Sequence, residues 1–259
     1  MNNAIVIGGS SGIGKSVCDE LLKRGFDVYN LSRTPCDLAG VQNRELDVTD
    51  GGKIESVLSE LPVPEVVVYS AGFSLAAPVE YACESDYRYL FEVNFFGLVK
   101  TVRSLSARMR ENGGGRIIAI SSIGGIIPIA FDAYYSASKA AVDMFVREAN
   151  IELNPYNVYL TSVRPGSTQT RFTFKRKVYP DEGVGVYGDK LHKAVVTLAD
   201  VEQRGMQPQD VAQCVMNVLD AKKPPATANA GLANKSLFLA EKLLPEAFTD
   251  FLNRSLYLQ

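Results

Sequence analysis

Apolar residues in this chain gather into short unbroken runs, and helical spacing fills the stretches between them. AIVIG at 4–8 reads as a buried strand. Over 14–25, Val17, Leu21 and Leu22 share one helix face and Gly25 ends it. DVYNL at 27–31 is the next strand, NRELDV at 43–48 a short third, and DGGKIESVLSEL at 50–61 a helix weakened by Gly51 and Gly52 in its first turn. EVVVYSAG at 65–72, RIIAISS at 116–122 and VYLTSV at 158–163 continue the strands. The tract over 84–111 reads as one long helix, and that over 132–153 as another, stopped near Pro155. Strands apolar throughout, alternating with helices, predict an α/β fold: a doubly wound parallel sheet of six to seven strands, covered on both faces.

Beyond residue 166 the pattern thins. Residues 167–207 carry few apolar periods and scattered glycines (Gly183, Gly185, Gly188), so 171–207 is expected to be a lid-like loop over a substrate. PQDVAQCVMNVLDA at 208–221 is a helix, and KKPPATANAG at 222–231 a turn-rich connection with room for a short last strand. Leu237, Leu244, Phe248 and Phe251 give 234–257 the spacing of an amphipathic C-terminal helix, interrupted at Pro245. Such a helix packs on its own domain, on another subunit, over a pocket or on a membrane surface.

Composition narrows the function classes. A chain of 259 residues suits one large α/β domain spanning 1–259. A formal net charge of −2 offers no basic field for nucleic acid. Cys18, Cys36, Cys83 and Cys214 are scattered and His192 is the only histidine, so no metal site is expected and a reduced, cytoplasmic chain is. His192 falls on a polar helix-like stretch and is expected to be exposed and idle. No signal peptide is expected ahead of a strand that begins by Ala4, and no apolar run approaches the ~18 residues of a membrane-spanning helix.

Two motifs carry chemistry. The first strand runs into IGGSSGIGK, with Gly8, Gly12 and Gly14 at the turn into a helix. Glycine there allows a tight turn and close approach of a pyrophosphate, and the helix N-terminus offers that anion free N–H groups. The second motif is AYYSASKAAVDMF at 133–145. Tyr135 and Lys139, four apart, share a helix face, while Tyr134 is turned about 100° away. A phenol with an ordinary pKa of about 10 is a poor acid–base group at neutral pH. A lysine ammonium beside it favours the phenolate and is expected to lower that value. This selects Tyr135 as the group that passes a proton to or from a substrate oxygen, leaving Tyr134 to packing or a pocket wall. Ser122, ending the strand RIIAISS, is placed to bond the same oxygen; Ser121 is its rival.

With these motifs the chain resembles the short-chain dehydrogenase/reductase family, over roughly residues 4–220. The resemblance implies a Rossmann-type sheet and an Asn–Ser–Tyr–Lys tetrad. Here that is Asn94 in EVNFFG, where the family asparagine helps hold a water, with Ser122, Tyr135 and Lys139. It implies a nicotinamide dinucleotide cradled by Gly8, Ser10, Ser11, Gly12, Ile13 and Gly14. Asp47 and Val48 would lie against the adenine, although Asp47 also suits the cap of the following helix. Ala71 and Gly72 would approach by their backbone, as Tyr135 and Lys139 would by their side chains. Pro165, Gly166, Thr168 and Thr170 in RPGSTQT would hold the nicotinamide carboxamide. The chain departs from the family in YSAG at 69–72, where Asn-Asn-Ala-Gly is usual, so that asparagine's structural hydrogen bonds must come from elsewhere. Ile7 also stands where threonine is common.

At the end of the second strand, NLSRT at 30–34 carries no carboxylate to accept from a ribose hydroxyl; Asp27 comes too early and Asp37 lies past Pro35. Ser32 and Arg33 suit the extra phosphate of NADP(H) instead. GGSSGIGK and NPYNVYLT resemble the 3-ketosphinganine reductase branch, with steroid and retinol dehydrogenases nearly as similar. The expected activity is oxidation or reduction between a ketone and an alcohol on a large apolar substrate. FTFKRK at 172–177 reads as a solvated loop, or as a basic face for an acyl carrier protein, which makes a 3-oxoacyl reductase the alternative. A non-catalytic dinucleotide sensor is the alternative of another class, and the complete tetrad argues against it. The family resemblance also implies a homodimer or homotetramer paired through the long central helices.

Overall fold

The computed structural model describes residues 2–231 and Ser255. Its strands are β1 (Asn3–Ile7), β2 (Asp27–Ser32), β3 (Gln42–Glu45), β4 (Val66–Tyr69), β5 (Leu75–Ala76), β6 (Gly115–Ile120), β7 (Val158–Arg164), β8 (Lys177–Val178) and β9 (Thr227–Asn229). Its helices are α1 (Gly12–Lys23), α2 (Gly51–Glu60), α3 (Glu84–Phe91), α4 (Gly97–Glu111), α5 (Ala133–Leu153), α6 (Phe172–Lys175), α7 (Gly188–Gln203) and α8 (Pro208–Asp220). Seven strands form one parallel sheet in the order β3-β2-β1-β4-β6-β7-β9. Ile5 lies opposite Tyr29 on one side and Val67 on the other. The short last strand is real: Thr227 in β9 pairs with Ser162 of β7. The expected C-terminal helix over 234–257 falls outside the described residues, apart from Ser255.

The side-chain alternation of the strands divides the core. Ile5 and Ile7 of β1 pack with Leu98 and Leu105 of α4 and Val142 and Val146 of α5. Ala4 and Val6 face the other way, onto Val17 and Leu21 of α1 and Val215 and Met216 of α8. Each fully buried Leu or Ile removes enough apolar area to contribute about 1.5–3 kcal/mol. Strand order reverses between β1 and β4, so the chain leaves their carboxyl ends toward opposite faces and opens a crevice there. The expected sites gather at that crevice.

Three elements differ from expectation. The tract over 84–111 is not one regular helix. Glu92–Phe96 forms a π-helical turn between α3 and α4, and Asn94 sits inside it. A π turn adds a residue and leaves carbonyls out of register. The Tyr69 hydroxyl donates to one of them, Val93 O, at 2.6 Å. Gly97 makes this possible, because a Cβ there would collide with the Tyr69 hydroxyl. Tyr69 opens YSAG, so this bond ties the end of β4 to the π turn. The second difference is α7, a sixteen-residue helix inside the stretch expected to be loop. Leu191, Ala194 and Leu198 are its buried face. The third is a two-stranded parallel ribbon in which β5 pairs with β8, Leu75 opposite Lys177.

Candidate active site

The glycine turn is built by close backbone approach. Gly8 has φ 87°, and a Cβ there would lie 2.6 Å from Ala71 N. A Cβ on Gly14 would collide with the Gly8 carbonyl oxygen. The N-cap of α1, Ser11, makes no side-chain cap bond, so its first-turn amides are left for another acceptor. The turn opens into a cavity of about 1070 Å³, larger than a single small-ligand pocket usually is. Every residue expected at the cofactor lines this cavity except Gly14, which lies beneath the turn. Thr170 lies across from the turn, its side chain 3.4 Å from where a Gly12 Cβ would stand.

At the end of β2, Arg33 is exposed and its Nη1 donates to Tyr89 Oη at 3.3 Å. The Ser32 hydroxyl donates to Asn30 Oδ1 at 2.8 Å, so its proton is already used. Asp37 is ion-paired with Lys15 at 2.6 Å. Asp47 is not the cap of α2. That role falls to Asp50, which accepts from Lys53 N at 3.0 Å. The Asp47 carboxylate instead accepts from Thr49 N at 3.0 Å and Thr49 Oγ1 at 2.8 Å, and these bonds hold its pKa below the usual value.

The proton-transfer residues converge at the ends of β4 and β6 and the start of α5. Tyr135 and Lys139 both line the cavity and are buried. Lys139 Nζ donates to Ile120 O at 2.9 Å and stands 5.8 Å from the Tyr135 ring centroid. Burial pulls the ammonium down to about 8, with Asp143 acting against it. On balance the Tyr135 pKa is raised rather than lowered. Burial dominates and pushes the phenol up, opposed by the Ser122 hydroxyl that faces it. Ser122 Oγ accepts from Gly124 N at 3.0 Å. Its rival Ser121 is spent on a backbone bond, Oγ to Lys139 O at 3.3 Å. Tyr134 does not line the cavity; it stacks on Tyr87 at 4.9 Å and donates to Val79 O at 2.9 Å.

Asn94 is almost fully buried and does not line the cavity. Its Oδ1 accepts from Phe73 N, and its Nδ2 donates to Phe73 O and Ser138 Oγ, each at 3.0 Å. A Cβ on Gly72 would stand 3.1 Å from Asn94 Oδ1 and 3.5 Å from Lys139 Nζ, so this glycine leaves room where the two side chains meet.

One group was not foreseen. Arg176, in the stretch read as a solvated basic run, is buried, and its Nη2 pairs with Glu202 Oε1 at 2.5 Å. Its Nε donates to Ser74 Oγ at 3.2 Å, and Ser74 Oγ donates to Asp132 Oδ1 at 2.7 Å. Lys177 pairs with Asp86 at 2.5 Å. FTFKRK therefore presents no continuous basic face.

Comparison with known proteins decides the family. The family model for short chain dehydrogenases matches residues 2–179. The chain belongs to the short-chain dehydrogenase/reductase family. This short-chain dehydrogenase is 30% identical to the 3-ketodihydrosphingosine reductase of Bacteroides thetaiotaomicron, over 98% of this chain and 97% of that one. It is 28% identical to the NADPH-dependent 3-dehydrocapnine reductase of Ornithobacterium rhinotracheale, over 96% and 95% of the two chains. A short-chain dehydrogenase from Streptomyces avermitilis superposes with a TM-score of 0.83 at 26% identity, covering 98% of this chain and 96% of that one. The protein is thus an oxidoreductase with the family's Rossmann-type sheet. Among the described residues no helix is long and apolar enough to cross a membrane.

Proposed function

We propose that this enzyme reduces the ketone of a large apolar substrate, a sphingoid-type ketone fitting best, with NADPH as hydride donor. The observation that carries the reading is one cavity shared by the glycine turn, Arg33, Ser122, Tyr135 and Lys139. The cradle fits a dinucleotide: Gly8 and Gly14 keep side-chain atoms out of the turn, and the first-turn amides of α1 have no side-chain acceptor. Arg33 fits a 2′-phosphate, and no free carboxylate stands at the end of β2 to prefer a ribose hydroxyl. A relative whose name includes NADPH dependence, and another that is a 3-ketodihydrosphingosine reductase, support cofactor and substrate class. Apolar side chains on the cavity wall (Phe73, Val93, Ile127, Ile129, Phe172, Leu198) suit an apolar substrate. Phe172 and Leu198 belong to 171–207, which we read as a cover over the substrate.

When bound, NADPH supplies the hydride. The chain supplies the proton. Tyr135 stays neutral because burial raises its pKa, so its O–H is in place to donate to the carbonyl oxygen as that oxygen gains charge. Ser122 donates a hydrogen bond to the same oxygen. The Lys139 ammonium, near the phenol, stabilises the tyrosinate left behind. Asn94 fixes Phe73 and the strand end beside Gly72 and Lys139, keeping the lysine in place.

Arg33→Ala is expected to raise the Michaelis constant for NADPH by about tenfold to a hundredfold, the worth of a charge-assisted contact, and to leave that for NADH nearly unchanged. Equal efficiency with both cofactors in the unmutated enzyme would overturn the NADP assignment. Exposed Phe96, Met144 and Ile151 beside α4 and along α5 support pairing of these helices between subunits. A dimer or tetramer is the expected result of sedimentation at micromolar protein; a monomer alone would contradict it.

A further inference from the structure

The cavity wall beside Tyr135 carries charges that the proton transfer does not use. Arg176 is 8% exposed, and its Nη1 is buried with no hydrogen-bond partner. Asp132 is 2% exposed and occupies the N-cap of α5, where an aspartate normally accepts from the helix amides. It makes no cap bond and spends one oxygen on Ser74. Glu202 takes Arg176 on one oxygen and the Thr173 hydroxyl on the other, at 2.6 Å. Asp132, Arg176 and Glu202 all line the cavity and all act electrostatically on Tyr135. The local charge does not balance: two carboxylates face one guanidinium, and the neighbouring Lys177 is already paired with Asp86. A buried guanidinium N–H without an acceptor, next to a carboxylate without its own cation, is costly unless a ligand completes both.

Building on the ketone-reductase reading above, we propose that Asp132, Glu202 and Arg176 form a head-group subsite beside Tyr135 for a ketone that carries a protonated amine and an oxygen acceptor. The ammonium supplies the missing cation at the carboxylates, and the oxygen accepts from Arg176 Nη1. Burial raises Asp132 only to about 6, so at neutral pH it is mostly ionised and ready for an ammonium. A steroid or retinoid carbonyl compound offers no protonated amine, so the subsite separates an amino-alcohol ketone from a bare one.

The test compares two long-chain 3-ketones of equal length with NADPH, one a 2-amino-1-hydroxy-3-ketone and one unsubstituted. The unmutated enzyme is expected to favour the first in kcat/KM by about tenfold to a hundredfold, the worth of a charge-assisted contact. Asp132→Asn should bring that ratio toward one, and Arg176→Lys, which keeps the charge but loses the Nη1 donor, should lower it in part. The unmutated ratio needs no variant to fold. A ratio near one, or variants that keep the unmutated ratio, overturns the subsite and leaves ketone reduction standing. Turnover of neither ketone overturns the reductase reading and the subsite with it.

Discussion

Tyr135→Phe is expected to lower kcat for ketone reduction by roughly two to four orders of magnitude, the range that a positioned acid or base supplies, while NADPH binding is retained. The ring stays in place, packed near Phe172 at 5.8 Å, and only the proton is lost. Tyr134→Phe removes a different bond, the one to Val79 O. It should cost about 1 kcal/mol of stability or less and little activity. A dead Tyr134→Phe with an active Tyr135→Phe would reverse the assignment. The pH profile is a second readout of the same pair. Burial disfavours the charged form of Lys139, so the ammonium is present below about 8 and lost above it. Reduction that draws on this ammonium should fall as pH rises through that value, and in Lys139→Met the limb should vanish along with most of the rate.

Gly14→Ala is expected to abolish measurable cofactor affinity and to lower the melting temperature. The new Cβ would collide with the Gly8 carbonyl oxygen and lie 2.9 Å from the Gly8 carbonyl carbon and 3.1 Å from Gly9 Cα. These are backbone atoms of the phosphate cradle, so relief requires the turn itself to move. Overpacking of this kind costs about 1–3 kcal/mol, and the displaced amides no longer converge on one anion. Gly52→Ala, in the first turn of α2, is the control. Its nearest neighbour would be Asp50 Oδ1 at 3.7 Å, and the change should be neutral or stabilising by up to about 1 kcal/mol. Unchanged NADPH affinity and melting temperature in Gly14→Ala would contradict the cradle.

Local signals made much of this legible in advance. The strand–glycine–helix turn and the four-residue step from Tyr135 to Lys139 are written in neighbouring positions, and both read correctly as geometry. Five of the seven sheet strands follow from unbroken apolar runs, whereas β3 is polar (QNRE) and β9 left a hint only in its turn-rich surroundings. What escaped depends on distant partners. The π turn around Asn94 needs the Tyr69 hydroxyl and the space at Gly97, and no helical period encodes it. The spacing of Leu191, Ala194 and Leu198 was present, yet Gly183, Gly185 and Gly188 just before it read as loop. Arg176 looked solvated within FTFKRK because its partners Ser74, Asp132 and Glu202 lie in remote parts of the chain. The pKa of Tyr135 was misjudged for a related reason: pairing was visible in the sequence, but burial was not, and burial dominates.

The central claim is that the Ser122–Tyr135–Lys139 arrangement turns over a ketone rather than only housing a dinucleotide. A single-turnover experiment tests it most directly: enzyme saturated with NADPH is mixed with a long-chain 3-ketone, and both NADPH and product alcohol are followed. The account predicts one NADPH consumed per alcohol formed, with the signal lost in Tyr135→Phe although NADPH remains bound. NADPH that binds tightly and is never consumed, with this ketone or any other long-chain ketone, would contradict it.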